Sequence, residues 1–185
     1  SAQATLNRLN PDVDIKTYAT RFAEDNAREI ADGYHFIVDG SDNFATKFLV
    51  NDIALKLNIA FSHAGIVRLQ GQTMTVIPGK SACYRCLFQA PPPPEEILNC
   101  QQSGILGAVA GTLGTIQATE AIKYLAGFED GLITDRLLIY DARTMKFHNV
   151  EVARDPACIA CGGPKPSHFD SSAASSVRDR GRNPL

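Results

Sequence analysis

The chain has 185 residues, 44% of them apolar and 21% charged. That is the balance of one ordinary globular domain and excludes a disordered polyelectrolyte. A formal net charge of −2 and a pI of about 6.1 argue against a nucleic-acid footprint, which calls for a domain pI above about 9. No apolar run reaches the ~20 residues of a membrane span, and the polar opening SAQATLNRLNP is not a secretory signal.

In chain order, Ala2, Leu6 and Leu9 recur at helical spacing until Pro11 stops the pattern, which predicts a first helix. Val13 to Tyr18 alternates and predicts a short strand. Asp25 or Asn26 is placed to cap a short helix that ends at Gly33. Phe36, Ile37 and Val38 form a continuous apolar run, the pattern of a strand covered on both faces. The run ends in Asp39, Gly40, Ser41 and Asp42. A helix follows with Ala45, Leu49, Ile53 and Leu57 at steps of four. Ile59–Ala64 and Gln72–Ile77 read as strands. Pro78 to Ser103 is irregular and holds the four prolines Pro91 to Pro94, which favour extended backbone; a loop this long inside a domain is functional or disordered. The longest helix is predicted from Leu106 to Leu125, ended by Gly127. Leu106, Val109, Leu113 and Ile116 make its apolar stripe, and Gly107, Gly111 and Gly114 make a small-residue face where another backbone could approach. Leu137–Tyr140 and Lys146–Val152 predict a terminal antiparallel hairpin. Residues 167–185, rich in Ser and Arg, read as a disordered tail. Alternating helices and strands predict an α/β domain with a mostly parallel sheet.

Four of the five cysteines form two C-x-x-C pairs, Cys83–Cys86 and Cys158–Cys161. In a chain with no signal peptide this favours a metal over disulfides. Four soft thiolates at these spacings suit a tetrahedral zinc site with no open position, hence a structural one, worth on the order of 10 kcal/mol to folding. Unrelated thiols, or a redox pair, are the competing readings; a redox pair leaves the second C-x-x-C unexplained. Cys100, in NCQQSG just before the long helix, is either an inert half-buried thiol or a nucleophile whose ionisation the helix N-terminus favours. Asp39 and Asp42 stand at the carboxyl end of an apolar strand, where open α/β sheets bind ligands. Asp42 is suited to Mg²⁺ on a nucleotide; alternatively Ser41 or Asp42 simply caps the next helix. The glycines from Gly104 to Gly114 are no phosphate loop, because no Gly-Lys-Ser/Thr ending follows. His35, His63, His148 and His168 are scattered and carry no assignment.

The stretches VDGSDNFATKFLVND, GIVRLQGQTMTV, CYRCLF, NCQQSGILGAVAGTLGTIQATEAIKYLAG, LLIYDA and CIACGG, in this order from about Leu6 to Gly163, resemble the ThiF/MoeB/HesA family, relatives of the ubiquitin-activating enzymes. The resemblance implies a Rossmann-like fold with flanking helices. It also implies adenylation by ATP and Mg²⁺ of the C-terminal glycine of a ubiquitin-like sulfur-carrier protein of ThiS/MoaD type, and a homodimer in the cytoplasm; the net charge and the lack of a long apolar run argue against nucleic-acid and membrane partners. By position Asp42 matches the metal- and nucleotide-contacting Asp, and Asn43 its neighbour in the nucleotide site. Cys83, Cys86, Cys158 and Cys161 match the zinc ligands. Cys100 matches the Cys of acyl thioester or persulfide transfer. Arg68 falls in the family pattern without a firm role. Relative to the family the chain starts late. It is expected to be an N-terminally incomplete member over residues 1–166, without the first strand, the glycine-rich nucleotide turn, and the Arg and Lys that contact the phosphates. A fragment or subunit that binds a ubiquitin-like partner without turnover is the alternative reading.

Overall fold

The structure is a computed structural model and describes residues 2–93 and 104–163. The described elements are α1 (Ala2–Leu9), α2 (Ala27–Ala31), β1 (Phe36–Asp39), α3 (Phe44–Leu57), β2 (Ala60–Val67), β3 (Gln70–Val76), α4 (Tyr84–Leu87), α5 (Gly107–Leu125), β4 (Arg136–Asp141) and β5 (Lys146–Glu151). The strands form one sheet in the order β1-β2-β3-β4-β5. Cys100, the tail 167–185 and His168 lie outside the described residues.

The α/β class and the terminal hairpin hold, but the sheet is not mostly parallel. Among the described strands only β1 and β2 run parallel; β2–β3, β3–β4 and β4–β5 are antiparallel. The connections give the reason. A helix, α3, carries the chain from β1 back to the start of β2, as a parallel pair requires. From β2 to β3 the chain turns through Arg68 and Leu69, between the paired residues Val67 and Gln70, and a link that short joins only antiparallel strands. Arg68 takes the left-handed φ of 55° that the turn demands.

The alternation of β2 splits the core into two layers, because successive side chains leave opposite faces. Phe61 packs with Met74, Val76 and Leu137 against Phe48, Val50 and Ala54 of α3 and against Tyr84, Cys83 and Cys158. On the other face Ala64 and Tyr140 pack against Val109 and Leu113 of α5, and Ala60 against Ile77 and Leu132. Gly71 lets α5 sit close to the sheet: a Cβ there would lie 2.9 Å from Leu113 Cγ and 3.0 Å from Val109 Cγ1.

Several sequence expectations are corrected. Val13–Tyr18 forms no strand and has no ladder partner among the described residues; Gln3 Nε2 donates to the Ile15 carbonyl at 2.7 Å. Strand β1 is packed on both faces, Ile37 on the α3 side and Phe36 against Tyr124 of α5, but Val38 is 50% exposed at this edge of the described sheet. The predicted stripe of α3 is rotated. Ile53 is buried, but the inward face is Lys47, Phe48, Val50, Asn51, Ile53 and Ala54. Hydropathy misses it because Lys47 and Asn51 are polar yet paired inside. In α5 the inward face runs Val109, Leu113, Gln117, Glu120, while Leu106 is exposed as the residue preceding the helix. The cap of α3 is Asn43, whose side chain accepts from the Thr46 N–H at 2.8 Å, not Ser41 or Asp42. No helix among the described residues is long and apolar enough to cross a membrane.

Leu113→Ala should lower stability by about 2–5 kcal/mol and Gly71→Ala by about 1–3 kcal/mol. The double variant should lose less than the sum, since the added methyl enters the space Leu113 vacates; urea unfolding of the four proteins measures this.

Candidate functional site

Two constellations flank α3. The first lies at the carboxyl end of β1, beside the middle of β2; the carboxyl ends of parallel strands are where such sheets present ligand-binding loops. Asp39 closes β1 and is buried. Its Oδ2 receives Lys47 Nζ and His63 Nδ1, both at 3.2 Å. Its Oδ1 receives the Ser41 N–H at 2.9 Å and the Ser41 hydroxyl at 2.6 Å. Burial works to raise the Asp39 pKa, but the His63 bond, the Lys47 charge and the two Ser41 bonds outweigh it and hold it at about 2. An ionised carboxylate only accepts, so Nδ1 of His63 carries the proton. Burial also lowers the His63 pKa, against the opposing Asp39 bond. The ring is therefore neutral and Nε2 is an acceptor, with no hydrogen-bond partner among the described residues.

The end of β1 and the middle of β2 are bridged from both faces. Lys47 of α3 also donates to the Ala64 carbonyl at 2.6 Å. From the opposite layer Gln117 Nε2 of α5 donates to the Asp39 carbonyl at 3.0 Å and to the Ser62 carbonyl at 2.9 Å. Asp42 and Asn43 follow directly and are exposed. Asn43 is committed to the helix cap through Oδ1, and its Nδ2 reaches Asp42 Oδ1 at 3.4 Å.

The second constellation is sulfur. The Sγ atoms of Cys83, Cys86, Cys158 and Cys161 all lie within 4.8 Å of one another. Cys83–Cys158 is 3.7 Å, Cys83–Cys86 3.9 Å and Cys86–Cys161 3.4 Å. These are far too long for S–S bonds. A tetrahedral ion with metal–sulfur bonds of ~2.3 Å sets sulfurs ~3.8 Å apart, so the donor set fits a metal ion. Burial pushes the Cys83 thiol up, with Cys161 and Cys86 adding to it. Burial acts the same way on Cys158, but the Cys161 and Ala160 amides outweigh it and bring that thiol down. Sulfurs this crowded shed their protons together only around a cation. The second pair folds as a tight turn: Gly162 N–H meets the Cys158 carbonyl at 2.7 Å, and a Cβ on Gly162 would overlap the carbonyls of Cys158 and Pro156. Asp155 N–H points at Cys86 Sγ, 3.5 Å away.

Helix α3 grips the loop of the first pair. Asn51 Oδ1 accepts the buried Tyr84 N–H at 2.9 Å. Arg85 makes a two-pronged ion pair with Asp52, at 2.8 and 2.7 Å, and lies over the Phe48 ring, 4.7 Å from its centre. Burial would raise the Asp52 carboxyl, but the Arg85 bonds hold it below the usual range. Arg68 is exposed; its backbone pairs with the segment leading into α5, its N–H to the Gly104 carbonyl at 3.1 Å and its carbonyl from the Leu106 N–H at 3.0 Å. A cavity of about 340 Å³ beside β5 is lined by Lys80, Asp135, Glu151, Val152, Ala153 and Arg154; neither Asp42 nor a cysteine is in its wall.

The family model described as "ThiF family" matches residues 1–160. The chain belongs to the ThiF family. It is 40% identical over 163 residues to "Adenylyltransferase and sulfurtransferase MOCS3" of Culex quinquefasciatus, covering 87% of this chain and 37% of that protein. It is 41% identical over 162 residues to "SAMP-activating enzyme E1" of Haloferax volcanii, covering 88% of this chain and 59% of that protein. This ThiF-family chain thus spans between about a third and three fifths of those two relatives. Among solved structures it superposes on E. coli MccB with a TM-score of 0.73 at 18% identity, over 91% of this chain and 51% of that one. That likeness supports the Rossmann-like fold.

In this family member the four cysteines meet at one point, and Asp42 and Asn43 stand together at one strand end, as their sequence positions lead one to expect. Lys47, His63 and Gln117 were not expected there. The available signal was polar residues recurring at i, i+3 or i+4 inside helical faces otherwise apolar, Lys47 with Asn51 and Gln117 with Glu120. His63 carried no local signal.

Asn51→Ala leaves the Tyr84 N–H buried without an acceptor and should lower stability by about 1–3 kcal/mol. Arg85→Lys, which keeps the charge but loses the two-pronged fork, should cost about 1 kcal/mol at this partly buried site. Denaturant midpoints of the two variants give the order.

Proposed function

We propose that this chain is the adenylation domain of a cytoplasmic enzyme that uses ATP and Mg²⁺ to activate the C-terminal glycine of a ubiquitin-like sulfur-carrier protein of ThiS/MoaD type, for sulfur transfer in cofactor biosynthesis. A carboxylate is a poor electrophile. In the reaction a carboxylate oxygen of the glycine attacks the α-phosphorus, the bond to the β-phosphate's bridging oxygen breaks, and pyrophosphate leaves with that electron pair. The acyl-adenylate then carries a good leaving group, AMP. The observation that supports this reading most is the position of Asp42 and Asn43 at the open carboxyl end of the parallel β1–β2 pair, in a ThiF-family chain whose relatives bear the names adenylyltransferase and activating enzyme.

In this reading Asp42 offers a hard oxygen ligand to Mg²⁺, which would offset the phosphate charge, and Asn43 contributes to the nucleotide site while capping α3. Cys83, Cys86, Cys158 and Cys161 hold Zn²⁺ by their number, softness and spacing. Four protein sulfurs fill the tetrahedron, so the metal ties the loop after β3 to the segment after β5 and does no chemistry. Cys100 is the thiol for thioester or persulfide transfer, with a homodimer as the assembly.

The full-length protein should catalyse ATP–pyrophosphate exchange only with a carrier ending in Gly-Gly. Asp42→Ala should reduce exchange at least ~100-fold, while Cys100→Ala should leave it intact and block transfer of the acyl group. Carrier binding with no exchange would replace this reading by that of a binding-only subunit. Metal analysis should give one zinc per chain, and Cys158→Ser should lose the metal and lower the melting temperature.

A further inference from the structure

Asp42 is held by little of its own. Among the described residues its carboxylate accepts only from Asn43 Nδ2, at 3.4 Å, so its place is set by the backbone of the turn from Gly40. That turn is tied on both sides of Asp42: Asn43 is anchored to α3 by its cap on the Thr46 N–H, and on the β1 side Ser41 gives both its N–H and its hydroxyl to Asp39 Oδ1. With Asn43 fixed to α3, the orientation of the Asp39 carboxylate sets the β1 side of the turn on which Asp42 stands. Two donors fix that orientation through Oδ2, Lys47 from α3 and His63 from β2.

Lys47 has a structural reason to be there, since it also bridges to the Ala64 carbonyl and neutralises a buried charge. His63 has none of comparable weight. It sits directly across the parallel pair from Asp39, is 1% exposed, and leaves Nε2 without a partner among the described residues. A buried acceptor left unpaired costs about 1–3 kcal/mol, and an apolar side chain would avoid that cost. The Tyr84 ring, centred 4.4 Å from the imidazole at 51°, holds the ring so that Nδ1 faces Asp39. Packing alone does not account for an imidazole at this position; a donor aimed at one carboxylate oxygen does.

We propose that His63 is a positioning residue: its Nδ1–H fixes the Asp39 carboxylate so that Oδ1 holds Ser41, and through that turn it sets the place of Asp42. The inference rests on the reading that Asp42 engages the metal-bound nucleotide. Two variants separate positioning from filling. In His63→Asn the side-chain amide keeps a donor at the place of Nδ1; in His63→Leu an apolar group fills the space.

Two measurements are made on each. Amide hydrogen exchange at Ser41 should speed up about tenfold in the Leu variant and stay within about twofold of wild type in the Asn variant, as loss of one tether predicts. In ATP–pyrophosphate exchange by the full-length protein, the Leu variant should show a KM for MgATP raised about 5–10-fold with kcat within about twofold. That is the signature of lost nucleotide binding rather than lost chemistry; the Asn variant should restore the wild-type KM. Equal effects of Asn and Leu on either readout would overturn the proposal, as would an unchanged Ser41 amide in the Leu variant. A wild-type protein with no exchange activity would refute the adenylation reading instead, and the Ser41 comparison would still decide whether His63 sets the turn.

Discussion

The structure depends on one buried carboxylate. Asp39 ends β1 inside the protein, and a charge there is tolerated only if it is paired and its lone pairs are used. Lys47 supplies the opposite charge, while His63 and Ser41 take the remaining acceptor capacity. Each donor belongs to a different element, so satisfying the carboxylate fixes α3, β2 and the turn after β1 relative to one another. Gln117 does the same for the main chain of Asp39 from the other face of the sheet. The result is a strand end held from both layers just before the exposed residues that would meet a ligand.

Helix α3 links this end to the sulfur cluster. Its N-terminus carries Asn43 as cap, its first turns carry Lys47, and its middle carries Phe48, Asn51 and Asp52, which hold Tyr84 and Arg85 between the first two cysteines. Tyr84 then packs against His63. A continuous run of contacts thus joins Cys83 and Cys86 to Asp39. A metal closing the four sulfurs would stiffen this run by fixing the loop that Tyr84 belongs to, a stabilising role at a distance from any phosphate chemistry.

On the other face the polar contacts repeat the pattern. Glu120 of α5 is buried and accepts from the Thr75 hydroxyl and the Ile133 N–H, both at 2.7 Å, with Lys123 as its ion partner. Both long helices therefore use their inward faces for two purposes, apolar packing and pinning of strand backbone or side chains. This is why their hydropathy stripes look interrupted. It also fixes the register of helix on sheet, which apolar packing alone leaves loosely specified.

The sequence by itself determined the helices α3 and α5, the strands β1 to β5 to within a few residues, the hairpin at the end, and the four sulfurs as one donor set. Those signals are local: hydropathy period, glycine and proline positions, and the C-x-x-C spacing. The sulfurs were legible because two short pairs of one soft ligand type have few other uses. Tertiary structure alone decided the direction of the strands, the burial of Lys47, Asn51, Gln117 and Glu120, the exposure of Val38, and the meeting of His63 and Gln117 with Asp39. His63 stands 24 positions from Asp39, and Gln117 stands 78. A polar side chain reads as solvent-facing until its partner is in place, and that partner is supplied by the fold.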